Sequence, residues 1–367
     1  MKFSFLLFVF FLSASYHSNA EIVEFRINAE EFANQQIKLA CTLFSDTIDI
    51  DNQGLGEYRT ELHNDMFVYV NVLGREDQPI KYLLFQPGKQ LVLTVDNGQI
   101  TFIGEAGGVN ELYYLCLNFM ESNASRIRSL VFSNKSGDKV FKKLSAYEES
   151  FKEFYETQLE SNEFSESDQH LVLSNYLAEF LWKKQLCISY RTEKQIEKGD
   201  LESKLLSYRL LKDSSLILSN SIPYKNFLIN HYHYTASRHN LYENNSASTF
   251  PQIGFDFFMK SSFYGESQKE YLTYVHLAYC FTTFGVTNES ITILDKFKKA
   301  FPNSHNLSHL LICKKSMINY HEVVWLPILV LSLWMETLCG SVTLRERLFL
   351  LMFGQLGAVH VRKAFQP

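Results

Sequence analysis

From Asn52 to Gly108 turn-forming residues recur so often that they leave only runs of strand length. The breaks fall at Asn52-Gln53-Gly54, His63-Asn64-Asp65, Gln78-Pro79, Pro87-Gly88 and Asn97-Gly98. Together with the stretch from Glu21, the chain offers short alternating or apolar runs at Ile22–Ile27, Gln36–Leu43, Asp46–Ile50, Glu57–Leu62, Met66–Leu73, Ile80–Gln86, Gln90–Val95 and Gln99–Ile103. Strands at this spacing predict a small antiparallel β-sandwich or barrel over residues 21–108. Asn97-Gly98 is a two-residue hairpin signal, because both residues tolerate positive φ. Pro87-Gly88 likewise suits a turn between strands.

The period changes after Gly104-Glu105-Ala106-Gly107-Gly108. That stretch lacks the Lys-Ser/Thr of a phosphate loop and reads as a β-to-α hinge. Asn110 is expected to cap a helix running through Met120. Between Val140 and Leu159, Phe141, Leu144, Tyr147, Phe151, Phe154 and Tyr155 form one stripe at three- and four-residue steps, with Glu148 and Lys152 on the wet side. Ser165-Glu166-Ser167-Asp168 predicts an N-cap before a helix to about Tyr190. Leu201–Leu211 and Pro223–Tyr242 also read as helical. Ser267–Thr283 and Glu289–Ala300 form a helical hairpin, with stops at Gly285 and Pro302. The fold class is therefore α+β: an N-terminal sandwich or barrel, an all-helical domain over 109–303, and a tail that is irregular or an apolar helix.

Met1–Ala20 reads as a secretory signal peptide. Lys2 is the n-region, Phe3–Leu12 the apolar core, and Ser18-Asn19-Ala20 the small-residue cleavage site before Glu21. The apolar core is too short for a membrane anchor. The mature protein is expected in the periplasm or cell envelope. A hydrophobic content of 46% with 20% charged residues fits a packed globular chain. A net charge of −5 argues against nucleic-acid binding, which needs a basic stripe. Cys41, Cys116, Cys187, Cys280, Cys313 and Cys339 form no C-x-x-C pair and fit neither a zinc site nor a disulfide framework. They read as buried small hydrophobes, with room for one disulfide of unassigned partners. His231, His233 and His239 are the one histidine cluster. On a helix His231 and His233 diverge, so surface or capping roles are favoured over a metal. The acidic residues read as solvated helix faces without an acid–base pair. Sequons at Asn123, Asn134 and Asn288 matter only in a eukaryotic secretory pathway. No catalytic, cofactor-binding or metal residue is assigned.

Both the body of the chain and its tail resemble a known family. Phe85, Pro87, Gly88, Leu91, Phe102, Gly104 and Asn110, within Tyr82–Tyr114, follow a pattern similar to exported TlpA/ResA-like thioredoxin proteins of the Bacteroidetes type, in the β-domain that accompanies the redox module. Lys89 stands where that pattern carries an acidic residue, and Gly54–Tyr58 is a weaker echo. Phe301-Pro302-Asn303-Ser304 resembles the end of the helical linker in the same family. The tail is read one base out of frame. Permitted codons for Gly354–Val361, started at the third base, give W-A-T-W-C-G-P-C. From Trp325 the same frame gives A-P-D-F, an Asp-Gly turn and L-S-D-F-K-G-K before that motif. Trp334 and Met335 have single codons, so the Asp-Gly is forced once Glu336 follows. This resembles the opening of a TlpA-like domain, and the frame break is expected between about Asn303 and Glu322.

The resemblance implies an exported thiol–disulfide oxidoreductase whose thioredoxin-like domain is frameshifted and truncated, with residues 304–367 an out-of-frame remnant without a stable fold. In C-G-P-C at a helix start, the first thiolate is stabilised by the helix dipole, attacks a substrate disulfide, and is resolved by the second thiol. Ala358 and Val361 occupy those positions here, so the chain is expected to be redox-inactive and to need no cofactor. In the intact family the partners are disulfide-containing exported proteins and a membrane reductant. The competing expectation is a non-enzymatic envelope binding or scaffold protein. Its tail would carry Val323–Trp334 as a weak membrane contact, since that run is too short to span.

Overall fold

The computed structural model describes residues 20–41, 43–75, 80–160, 164–190, 213–238, 249–262 and 264–318. Most of the predicted signal peptide, the helix expected at Leu201–Leu211, His239, Cys339 and the shifted-frame tail lie outside these residues.

Eight strands appear where the turn residues place them: β1 (Glu21–Asn28), β2 (Gln36–Ala40), β3 (Ser45–Asp49), β4 (Leu55–Leu62), β5 (Met66–Val72), β6 (Tyr82–Phe85), β7 (Gln90–Asp96) and β8 (Gln99–Ile103). They form two four-stranded sheets, ordered β4-β1-β7-β8 and β3-β2-β5-β6. The architecture is thus a sandwich rather than a barrel. Alternation sets its interior: Val23, Phe25 and Ile27 of β1 and Leu91, Leu93 and Val95 of β7 are buried. Phe25 meets Phe85 of the opposite sheet with ring centroids 5.4 Å apart.

The Asn97-Gly98 signal gives the β7–β8 hairpin, with both residues at positive φ and Asp96 paired with Gln99. The Pro87-Gly88 turn behaves differently. It carries the chain from one sheet to the other, because β6 pairs with β5 and β7 pairs with β1 and β8. The β1–β7 pairing is parallel, Phe25 opposite Leu91, so the sheets are antiparallel-rich rather than wholly antiparallel. Strand-length periodicity carries no information on such a non-local pairing.

Helices α1 (Gly107–Val131), α2 (Gly137–Leu159) and α3 (Glu166–Tyr190) follow. The first begins before Asn110, which is not its cap. Asn110 is buried, and its Oδ1 accepts from the Leu84 N–H at 2.8 Å while its Nδ2 donates to the Leu84 carbonyl at 2.9 Å. It thereby completes the edge of β6 as a partner strand would. Ser165 does cap α3, accepting from the Asp168 N–H at 3.1 Å.

The predicted stripe on α2 is buried at Phe141, Leu144, Phe151 and Tyr155. Phe151 sits among Phe119, Tyr176 and Phe180, at centroid distances of 5.7, 5.4 and 5.9 Å. Glu148 is not on the wet side. It is 4% exposed and its Oε2 lies 2.5 Å from the Lys184 ammonium, which is 0% exposed. Lys152 does reach Glu148, at 3.4 Å. A helical wheel places Glu148 beside the stripe but cannot reveal a lysine arriving from α3.

Helices α4 (Ser214–Leu218) and α5 (Ile222–Arg238) bracket a turn that fastens the helices to the sandwich. The Phe67 N–H donates to the Ser219 carbonyl at 2.8 Å, and Asn220 Nδ2 donates to the Phe67 carbonyl at 3.0 Å. One apolar core runs from Val23 of the sandwich to Leu272 of the helical region. The remaining helices are α6 (Phe250–Lys260), α7 (Glu266–Phe284), α8 (Asn288–Ala300) and α9 (Asn306–Ile318). The predicted hairpin is α7–α8, with Gly285 at φ 74° ending α7 and a Thr287–Ser290 capping box starting α8. α9 packs on α7 through a core that includes Leu277, Phe281 and Leu310. The helical region therefore continues past Asn303, and the expectation of no stable fold from residue 304 fails over Asn306–Ile318.

Candidate functional site

Of the three histidines singled out, the two described ones, His231 and His233, face different neighbours. His231 is 6% exposed, stacked on Phe227 at 5.7 Å and edge-on to Tyr264 at 5.9 Å. The expectation of a surface or capping role is corrected for this residue. It lies on the inner face of α5, where a neutral ring packs as an aromatic. His233 is exposed and turns instead toward Tyr279, at 6.1 Å. Burial pushes the His231 ring down to about 4, which keeps it neutral. Among the described residues no group of three or more His, Cys, Asp or Glu side chains could hold a metal ion.

A second histidine, His276 on α7, is the most fully engaged. Tyr232 Oη lies 3.1 Å from its Nδ1, and its Nε2 lies 3.1 Å from the Pro251 carbonyl. A carbonyl can only accept, so Nε2 carries the proton and Nδ1 accepts from the tyrosine. Gly254 makes room for the ring, since a Cβ there would collide with it. Burial lowers this imidazole to about 4 as well, against the backbone contacts at Pro251 and Phe250.

Cys280 sits one turn further along α7, with Sγ 3.7 Å from His276 Nε2. Spacing alone would make this a nucleophile–base pair. Its electrostatics are the reverse of an activated pair. Burial raises the Cys280 thiol to about 12, and both ring nitrogens of His276 are already committed. The same His-x-x-x-Cys spacing recurs on α9, where Cys313 Sγ lies 3.7 Å from His309 Nδ1 and Tyr274 Oη 2.9 Å from that nitrogen. Burial again raises the thiol and lowers the ring. The sequence signal for both pairs was an i,i+4 spacing, visible once cysteines and histidines are read together.

The other described cysteines are in no disulfide: Cys41 is half-buried, Cys116 and Cys187 are buried. Cys116 is pushed up to about 12 by burial. At pH 8 its thiolate fraction, like that of Cys280, is about a thousandfold below that of an ordinary cysteine. Alkylation of the native protein is therefore expected to spare Cys116 and Cys280 until urea is added, as read by peptide mass. Equal labelling with and without urea would contradict the burial described here.

Elsewhere the polar groups do structural work. Lys225 is buried, donates to Asn220 Oδ1 at 2.6 Å and faces the Tyr271 ring at 5.5 Å. Burial pushes its ammonium down to about 8. A shallow cleft of about 320 Å³ between α2 and α3 is lined by Lys152, Tyr155, Glu156, Gln169, His170 and Leu173. His170 there pairs with Asp213 at 2.8 Å. The other basic group of the cleft, Lys152, is held by Glu148 and Glu149, which like Asp213 lie outside the cleft lining. Gly104, Glu105 and Ala106 connect β8 to α1, and Gly107 and Gly108 open the helix. Among the described residues no helix is long and apolar enough to cross a membrane. No family model, curated protein or solved structure matches the chain.

Proposed function

We propose that this chain is the accessory portion of an exported thiol–disulfide oxidoreductase similar to the TlpA/ResA-like proteins, and that it does not itself exchange disulfides. What carries the reading is that, from Trp325 onward, permitted codons read one base out of frame can keep the order of a TlpA-like opening through to W-A-T-W-C-G-P-C. In the frame of this chain, Ala358 and Val361 stand at the two cysteine positions. Neither can form the mixed disulfide on which exchange depends.

The β-domain resemblance lends support from another part of the chain. Phe85 and Leu91 lie in the sandwich core, Gly104 takes φ 95° beside the Gln90 carbonyl, and Asn110 closes the edge of β6. The residues of that pattern thus build one junction, where the sandwich turns into helices. On this reading the body up to α9 is a rigid carrier for a redox module, acting outside the cytoplasm on disulfide-containing exported proteins.

The test has two arms. DNA sequenced past the Pro367 codon is expected to continue, in the shifted frame, as a thioredoxin-like domain; any other continuation ends the proposal. Insulin reduction is expected from the frame-restored protein and not from this chain, and turnover by this chain would overturn its assignment as inactive. A non-enzymatic scaffold is the second reading, favoured by the continuous core that ties sandwich to helices. It predicts no activity from either protein.

A further inference from the structure

The tip of the α1–α2 hairpin concentrates positive charge on a chain whose net charge is −5. Residues 122–147 hold six cations, Arg126, Arg128, Lys135, Lys139, Lys142 and Lys143, against one carboxylate, Asp138. All of these cations are exposed. Ile127, Leu130 and Val131 of α1 and Val140, Phe141 and Leu144 of α2 turn into the core, which leaves the residues between them to water. Lys139, Lys142 and Lys143 fall at three- and four-residue steps and form one stripe on the outer face of α2. The hairpin brings the charges of both helices to one end. Phe119 of α1 meets Phe151 and Phe154 of α2 with centroids 5.7 and 4.9 Å apart. Arg128 lies nine residues beyond Phe119 and Lys142 nine before Phe151, so the two reach about the same height along the hairpin. Local stability does not account for this charge. Among the described residues no carboxylate lies within ion-pair distance of Arg126, Arg128, Lys139, Lys142 or Lys143. Lys139 even stands in the first turn of α2, where the helix dipole disfavours a cation. Phe132, at the tip between the helices, is 37% exposed.

We propose that this hairpin tip docks on an anionic phospholipid bilayer, with the cations at the phosphate headgroups and Phe132 at the acyl boundary. Charge complementarity selects the occupant. Each Lys or Arg held near an anionic surface adds attraction, and an apolar ring among them suits the level where headgroup meets acyl chain. The rest of the chain is net acidic, so an anionic surface turns this end toward itself and repels the others. The contact is peripheral and holds the body against the membrane whether or not a redox module follows it.

The experiment is co-sedimentation of the full chain with lipid vesicles at about 0.1 M salt. Vesicles of phosphatidylcholine and phosphatidylglycerol in equal parts are expected to carry the protein down, and vesicles of phosphatidylcholine alone are not. Raising the salt to about 0.5 M is expected to release it. Lys139→Gln/Lys142→Gln/Lys143→Gln is expected to bind the anionic vesicles roughly a hundredfold more weakly. Lys296→Gln/Lys298→Gln/Lys299→Gln, which removes as much charge from α8, is expected to bind as the wild type does. Equal sedimentation with both kinds of vesicle would place the contact in an apolar run such as residues 323–334 and overturns the proposal. So does an equal loss in the two triple variants, or retention of a DNA duplex without vesicle binding. Should the α2 variant fail to fold, Arg126→Gln/Arg128→Gln decides by the same readout, and undiminished binding by it overturns the proposal.

Discussion

Lowering the pH from 7 to 4 is expected to remove roughly 6 kcal/mol of stability through His231 and His276. Both rings are buried and held near 4 against an ordinary value of 6.5. The difference corresponds to about 3 kcal/mol for each ring. The sign follows from the direction. The unfolded chain protonates these histidines near 6.5 while the fold resists until about 4. Their contribution is therefore full above 6.5, falls as pH drops through that window, and is gone below 4. A loss of this size rivals the whole stability of a typical domain, so acid unfolding should be complete near pH 4. Asp65, in the β4–β5 turn, acts in the opposite direction, since burial raises its carboxyl, but it is one half-exposed group against two buried rings. Urea midpoints measured from pH 7 to 4.5 check the slope, and His276→Gln should remove about half of it. His231 and His276 resonances titrating near 6.5 in the native protein would sink the prediction.

Glu148→Ala is expected to cost about 3–5 kcal/mol, because it removes the carboxylate that lies 2.5 Å from the buried Lys184 ammonium. The two groups are nearly inaccessible, and Lys184 also lies 5.3 Å from the Phe141 ring, which cannot replace a carboxylate. Lys152 loses one partner too, but it keeps Glu149 at 2.7 Å and reaches water. The double variant Glu148→Ala/Lys184→Met should recover most of the loss, since a buried ion pair contributes less than its disruption costs. Urea unfolding at neutral pH measures both. A single variant within about 1 kcal/mol of the wild type would mean that Lys184 finds water or another partner.

Much of the candidate site chemistry was legible as residue types and not as relationships. Glu148 read as a solvated helix residue because the i,i+4 partner Lys152 was in view, while Lys184 lies on another helix. His231 read as surface because it was judged with His233, yet burial of α5 separates them. Asn110 carried a capping signal, but a buried amide opposite an unpaired strand edge is a stronger demand than a helix end open to water. The His276–Cys280 pair was in the sequence throughout, at a spacing that any helix renders adjacent. Only the tyrosine and carbonyl on either side of the ring decide that it packs rather than reacts.

The sequence by itself determined the positions of all eight strands, the Asn97-Gly98 hairpin, the Ser165 cap and the α7–α8 hairpin. These depend on local backbone preferences and on the period of apolar residues, both written along the chain. Tertiary structure alone decided the parallel β1–β7 pairing, the clasp of Phe67 by Ser219 and Asn220, and the burial of Glu148 with Lys184. In each case the partners are far apart in the chain, and what joins them is the need of a buried polar group for a partner once water is gone.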